Sequence, residues 1–232
     1  VHRRLVIQCL EGQLIFETAS NEFTKVELLT RLEDATMPLE NGLFHAAGPS
    51  PTTGESEVHP PHEDGAGHAD VKASIPGLAA LAGQIGDRQV RAMGTMGGSV
   101  ANNDPAACYP SAVLALGATI VTDRREIAAD QFFHGMYATA LEPGELITAI
   151  RFPIPKKAAY AKFRHPASRF ALVGVFVAQT DAGVRVAITG AASSVFRHAG
   201  LEAALNQSFT PASAAAVKID ASDLNADRKS VV

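Results

Sequence analysis

Residues 75–120 read IPGLAALAGQIGDRQVRAMGTMGGSVANNDPAACYPSAVLALGATI, and the organisation of the chain follows from them. Ile75, Leu78, Leu81, Ala82 and Ile85 recur at steps of three and four, so the spacing predicts one amphipathic helix over 71–85. Gly86 closes it and Pro76 sits in its first turns. Gln89–Met93 reads as a short extended segment, and Gly94–Asp104 as a glycine-rich loop. Pro105 then opens a second helix, Ala106–Leu116, because the first turn of a helix does not need the donor that proline lacks.

The loop carries the chemistry. Glycines let a backbone approach an anion closely, and consecutive amides form a concave nest for a phosphate or pyrophosphate. Thr95 and Ser99 supply hydroxyls, while Asn102, Asn103 and Asp104 offer groups suited to a ribose or ribityl chain. It is neither a Walker loop, since no Gly-Lys-Ser/Thr follows, nor a GxGxxG turn. A tight turn without a ligand is the competing reading of the same glycines.

Downstream, Ala118–Thr122 and Arg125–Ala128 form a small hairpin, and Leu146–Phe152 is a strand ended by Pro153 and Pro155. Tyr160–Arg164, Ala171–Gln179 and Val184–Thr189 read as three strands, the latter two joined through Thr180–Gly183. Phe196–Asn206 and Pro211–Val217 read as helices, which makes the last third a small α+β subdomain. Upstream, Leu5–Phe16 has weak strand character and Glu22–Glu33 helical character. The run from His45 to His68 holds four of the eight histidines among prolines and glycines and reads as a solvated loop. A metal site there competes poorly, since no pair lies at helical i, i+4 spacing and no cysteine accompanies them.

The 232 residues are 47% hydrophobic and 19% charged, with a formal net charge of −4. That balance gives no sequence-wide reason to bind nucleic acid or an anionic membrane. The apolar runs fall short of the roughly 20 residues that cross a bilayer, so no transmembrane segment is expected. Val1–Leu10 is a poor signal peptide. Cys9 and Cys108 lie far apart, which excludes a disulfide framework and an iron–sulfur or zinc cage built by this chain alone. A reducing, cytoplasmic location is expected.

The quoted stretch, extended over Ala69–Pro153, resembles the second half of the flavin domain in the FAD-binding medium subunit of molybdenum hydroxylases, of the aerobic carbon monoxide dehydrogenase and xanthine dehydrogenase type. KFRHPASRFALVGVFVA (162–178) and VRVAITGAASSVF (184–196) resemble that family's C-terminal subdomain. The resemblance implies an α+β fold: the second lobe of a PCMH-type FAD-binding domain over 69–156, then a C-terminal subdomain of three antiparallel strands and helices over 157–232. It implies FAD as cofactor and, as partners, a large subunit with the molybdenum cofactor and a small iron–sulfur subunit. The implied reaction is electron transfer from those clusters through FAD to a terminal acceptor, with no catalytic acid, base or nucleophile on this chain.

Carried over by position, Thr95, Met96, Gly97 and Gly98 are the T-x-G-G motif that lies against the FAD pyrophosphate. Ser99, Asn102, Asn103 and Asp104 continue that loop as polar contacts, and Ile147 matches an apolar position against the cofactor. Lys162 matches a lysine near the flavin ring, where a cation stabilises negative charge, with a solvent-facing strand lysine as the alternative. Cys108 stands where relatives carry an aspartate that contacts the cofactor in some of them. A thiol is a poor acceptor, so that contact is weakened, and a small buried side chain is the commoner fate of such a cysteine. The family's first FAD loop, of A-G-G-x-S type, is not recognisable in 1–68, which stay unassigned and are expected to be frame-disturbed upstream of Ala69. The tail Asp227–Val232 reads like translated adapter sequence, so truncation is expected there too. Two other readings compete: a flavin-free structural or assembly subunit, and a stand-alone flavoenzyme.

Overall fold

A computed structural model describes residues 4–10, 13–19, 61–219 and 224. The helix expected over Glu22–Glu33, most of the histidine-rich run and the Asp227–Val232 tail lie outside the described residues. The weak strand character of Leu5–Phe16 belongs to two strands: β1 (Arg4–Leu10) and β2 (Gln13–Ala19) pair antiparallel, with Glu11 and Gly12 between them in the sequence.

From residue 61 the chain forms six short helices in succession: α1 (His62–Gly67), α2 (Ala69–Ser74), α3 (Pro76–Gly83), α4 (Arg88–Met93), α5 (Met96–Asn102) and α6 (Tyr109–Leu116). Four expectations are corrected here. His62–Gly67, placed in a solvated loop, is a helix with His62 and Gly65 buried. The single helix over 71–85 is two, broken at Ile75 (φ −136°, ψ 71°), because the ring of Pro76 excludes the helical conformation from the residue before it. The extended segment Gln89–Met93 is helical, started by Asp87, whose Oδ1 accepts from the Val90 N–H at 2.9 Å. The second helix starts at Tyr109 rather than Ala106, with Pro110 in its first turn.

α6 is buried on every side, as its unbroken apolar run requires. Gly117 ends it in the left-handed conformation (φ +64°). Strands β3 (Thr119–Thr122) and β4 (Glu126–Ala128) form the expected hairpin, followed by a 3₁₀ turn at Ala129–Gln131 and the small ribbon β5 (Phe133–Gly135) and β6 (Ala138–Thr139). β7 (Ile147–Pro153) lies between β2 and β3, giving an antiparallel sheet in the order β1-β2-β7-β3-β4.

The last third is a second antiparallel sheet. It comprises β8 (Lys157–Arg164), β9 (Ala171–Thr180), β10 (Gly183–Thr189) and a two-residue β11 (Phe196–Arg197), in the order β11-β10-β9-β8. Phe196 and Arg197, expected in a helix, belong to β11; α7 runs Ala199–Gln207 and α8 Pro211–Ala215. His198 caps α7, its Nδ1 accepting from the Leu201 N–H.

One core joins the two halves: Tyr109, Leu116, Phe132, Phe152 and Phe176 are fully buried in the same cluster as Leu78 and Leu81. α3 packs on β8 so closely that a Cβ on Gly77 would meet the Ala158 carbonyl oxygen at 2.8 Å. Val186, Val184 and Leu205 form a smaller cluster where α7 covers β10. Polar ties reinforce the junction. Arg185 donates from Nε and Nη2 to the Leu114 carbonyl at the end of α6, and from Nη2 to both oxygens of Asp130. Asp130 also accepts from Arg197, which holds Glu202 in a two-bond fork. These arginines hold the Asp130 carboxyl below its ordinary range against the opposing effect of its partial burial.

Candidate functional site

The residues read as a loop at 94–104 are largely a helix. Thr95 is its N-cap (φ −116°, ψ 157°): its hydroxyl accepts from the Gly98 N–H at 3.1 Å and its carbonyl from the Ser99 N–H at 3.0 Å. Two glycines are poor helix formers, so the cap and the burial of Met96, Gly97 and Val100 hold this turn. The N–H groups of Met96 and Gly97 stand in the first turn, where a helix offers them no internal acceptor. Gly98 and Ser99 are half-buried beside them.

The helix ends at Asn103, in the left-handed conformation (φ 47°, ψ 46°) and fully buried. Its side-chain amide donates to the carbonyls of Gly135 (2.7 Å) and Ala138 (2.9 Å) and to Ser194 Oγ (3.3 Å). Its backbone carbonyl accepts from the Tyr137 N–H. The Oδ1 atoms of Asn102 and Asn103 are both buried without a protein partner, two adjacent acceptors to be satisfied by a donor from elsewhere. Asp104 Oδ1 accepts from the Ala106 N–H at 2.8 Å, and its charge pushes the Tyr137 phenol up.

The remaining expected residues divide. Ile147 is buried at the start of β7, in the same core cluster as Met96 and Val100. Cys108 is also in that cluster, 4% exposed. Its thiol lies against the Tyr160 hydroxyl, and burial followed by the adjacent thiol pushes that phenol well above its ordinary range. Lys162 donates from Nζ to the Gln84 carbonyl at 2.9 Å, at the end of α3. Thr95 through Asp104 and Ile147 are thus brought onto one element and the strand beside it, whereas Cys108 points into the core and Lys162 caps a different helix.

Three polar positions escaped the sequence reading. His62 is 5% exposed, its ring 5.1 Å from that of Tyr109; burial, with Arg91 contributing, pushes its pKa down to about 4. Glu145 is buried and fully paired: Arg125 donates from Nε and Nη2, the Glu142 N–H at 2.8 Å and the Thr122 hydroxyl at 2.7 Å. These bonds, led by that from Arg125, hold its carboxyl at about 2. Thr189, fully buried at the end of β10, lies 2.9 Å from the Pro105 carbonyl and 2.7 Å from that of Ala107. Thr189 carried no legible signal, since an inward threonine at a strand end reads as ordinary β-propensity. His62 was hidden by the glycines and prolines around it, and Glu145 by its place in a Pro-Gly turn. Among the described residues no group of three or more His, Cys, Asp or Glu side chains is placed to hold a metal ion. No helix there is long and apolar enough to cross a membrane.

Residues 61–155 match the family model described as "FAD binding domain in molybdopterin dehydrogenase". The carbon monoxide dehydrogenase medium chain of Afipia carboxidovorans is 38% identical over 118 residues, 48% of this chain and 41% of that protein. The glyceraldehyde dehydrogenase medium chain of Sulfolobus acidocaldarius is 39% identical over 114 residues, 47% of this chain and 41% of its own length. The chain therefore spans about half the length, or less, of these relatives. Among solved structures, carbon monoxide dehydrogenase from Hydrogenophaga pseudoflava superposes with a TM-score of 0.59 at 32% identity, over 66% of this chain and 58% of that one. Quinoline 2-oxidoreductase from Pseudomonas putida 86, at 24% identity and a TM-score of 0.61, shares the fold over 67% of this chain and 58% of its own. Residues 61–155 are thus a FAD-binding domain of the molybdopterin dehydrogenase type, within an α+β chain that is similar, over about half its length, to the medium chains of carbon monoxide and glyceraldehyde dehydrogenases.

Proposed function

We propose that this chain is the electron-transfer subunit of a cytoplasmic molybdenum hydroxylase, holding FAD between the iron–sulfur clusters of a small partner subunit and a terminal acceptor, with substrate oxidised on a large molybdenum subunit. The observation that carries the reading is the family match over 61–155, which includes the whole Thr95–Asp104 element. FAD supplies the ability to exchange electrons one at a time with a cluster and in pairs with an acceptor.

The residues fit a cofactor of that chemistry. The first-turn N–H groups of Met96 and Gly97 suit a pyrophosphate, with Thr95 fixing the turn and Gly97 and Gly98 allowing close approach. The unpartnered Asn102 and Asn103 oxygens suit hydroxyl or amide donors on the same ligand. Ser99 is placed to add a hydroxyl, and Ile147 supplies an apolar wall behind the helix. We place the second lobe at 69–156 and the C-terminal subdomain at 157–232. Cys108 and Lys162 take structural roles in this reading, one in the core and one capping α3.

The test is the flavin content and affinity of the purified chain, read by its absorbance near the flavin bands and by quenching of FAD fluorescence on titration. One FAD per chain, with weaker binding when Gly97 is replaced by valine, is the expected result. A folded chain that takes up no FAD, alone or with its partner subunits, would instead be a structural subunit of the complex.

A further inference from the structure

We propose that the C-terminal subdomain holds the cofactor segment in shape, with Thr189 the positioning residue that fixes residues 105–107. The inference rests on the FAD reading of that segment. Between the end of α5 at Asn102 and the start of α6 at Tyr109 the chain crosses a stretch with little internal bonding: the Ala106 N–H reaches the Asp104 carboxylate and the Ala107 N–H the Asp104 carbonyl. Pro105 has no N–H to give. A segment with so few bonds of its own is a unit of low local stability unless its neighbours order it.

For residues 105–107 the outside partners come from the end of β10 and the residue that follows it, while Asn103 is also held by the β5–β6 ribbon. The Thr189 hydroxyl is shared between the Pro105 and Ala107 carbonyls, and the Gly190 N–H donates to Pro105 at 2.7 Å. Gly190 can turn there because it has φ +84°; a Cβ would strike the Leu172 carbonyl oxygen at 2.5 Å. Ser194, a few residues on, accepts from the Asn103 side chain. Thr189 and Asn103 are both fully buried, so water cannot replace a lost partner. The amide of Asn103 is thereby spent inside the protein and its unpartnered Oδ1 is left in a fixed position. Thr189 reaches the cofactor only through the backbone it holds.

The test uses the full chain and three substitutions. Thr189→Val keeps the shape and removes the hydroxyl; Thr189→Ser restores it. Thr180→Val removes an equivalent hydroxyl-to-carbonyl bond, to Gly183 in the β9–β10 turn, without touching the segment. FAD dissociation constants are read by fluorescence titration, and amide exchange over residues 103–108 by mass spectrometry. The expected result is binding weakened about tenfold, with faster exchange at 103–108, in Thr189→Val alone, as the loss of one buried, shared hydrogen bond implies. Wild-type affinity and exchange in Thr189→Val, or equal weakening in Thr180→Val, overturns the proposal. If Thr189→Val does not fold, Ser194→Ala carries the same two readouts through Asn103. If the unaltered chain binds no FAD, the cofactor reading fails by itself, and exchange at 103–108 then decides whether the sheet holds the segment.

Discussion

The stretch from α1 to α6 and the sheet from β8 to β11 obey different rules. In the sheet, side chains alternate between exposed and half-buried along β8 and between the two faces along β9, so local pattern and final structure agree. The helices α1 to α6 are six to eight residues long, too short to be stable alone or to display a clear period. Each is set by a cap or a proline at one end and by what it is pressed against. The lesson is that the sheet is specified along the chain and the helical stretch across it.

Gly77 gives the sharpest way to break that contrast. If intrinsic propensity governed α3, Gly77→Ala would stabilise it by about 1 kcal/mol. Because the new Cβ would press into the Ala158 carbonyl on β8, we expect a loss of about 2–3 kcal/mol in urea-unfolding free energy. A gain would show that α3 is governed locally after all.

The next effect is a pH limb. His62 has its pKa lowered from 6.5 to about 4 in the folded chain, so the unfolded chain binds the proton more readily. The stability conferred by a neutral His62 is present above pH 6.5 and is lost progressively as pH falls toward 4, with about 2 kcal/mol gone by about pH 5 in a titration of thermal or urea stability. His62→Phe should flatten that limb. A second loss, between pH 4.5 and about 2, follows from the lowered Glu145 carboxyl and should persist in His62→Phe, since Glu145 lies on a different element.

Smaller again is Asp87→Ala, which removes the cap of α4 and should cost about 1 kcal/mol. Hydrogen exchange confined to residues 88–93 would check that the loss is local. The smallest effect belongs to the sheet: Ala161→Thr, at an exposed position of β8, should change stability by no more than about 0.5 kcal/mol, toward stabilisation. A loss larger than that in the midpoint of unfolding would mean that β8 also depends on something laid across it.

The same contrast explains what could be read beforehand. β7 to β10 were legible to within a few residues because alternation and turn residues carry the information. The break before Pro76 and the cap at Asp87 were written in the sequence but outweighed by an apolar period that ran through the first and an apolar alternation that masked the second. For α5 the glycines argued for a loop, and the Thr95 cap with the packing of Met96 and Val100 beneath it makes it a helix. The motif from Thr95 to Asp104 was legible as a unit, because resemblance reports chemistry that spacing alone leaves open. What Asn103, Cys108 and Lys162 touch was not, since each partner lies far along the chain or is a backbone carbonyl.

The pairing of β2 with β7 bears on how the chain reaches its fold in time. Gln13 sits opposite Pro153, so the sheet that carries β3 and β4 is joined to a hairpin far from it along the chain. Contacts so far apart in sequence form late, because the loop between them must close before they contribute anything. The β1–β2 hairpin is made before β7 yet waits for it, with β2 offering an open edge in the interval. Refolding should therefore end in a slow phase set by the docking of β2 on β7, and that interval is when the nascent chain is most exposed to pairing with the wrong strand.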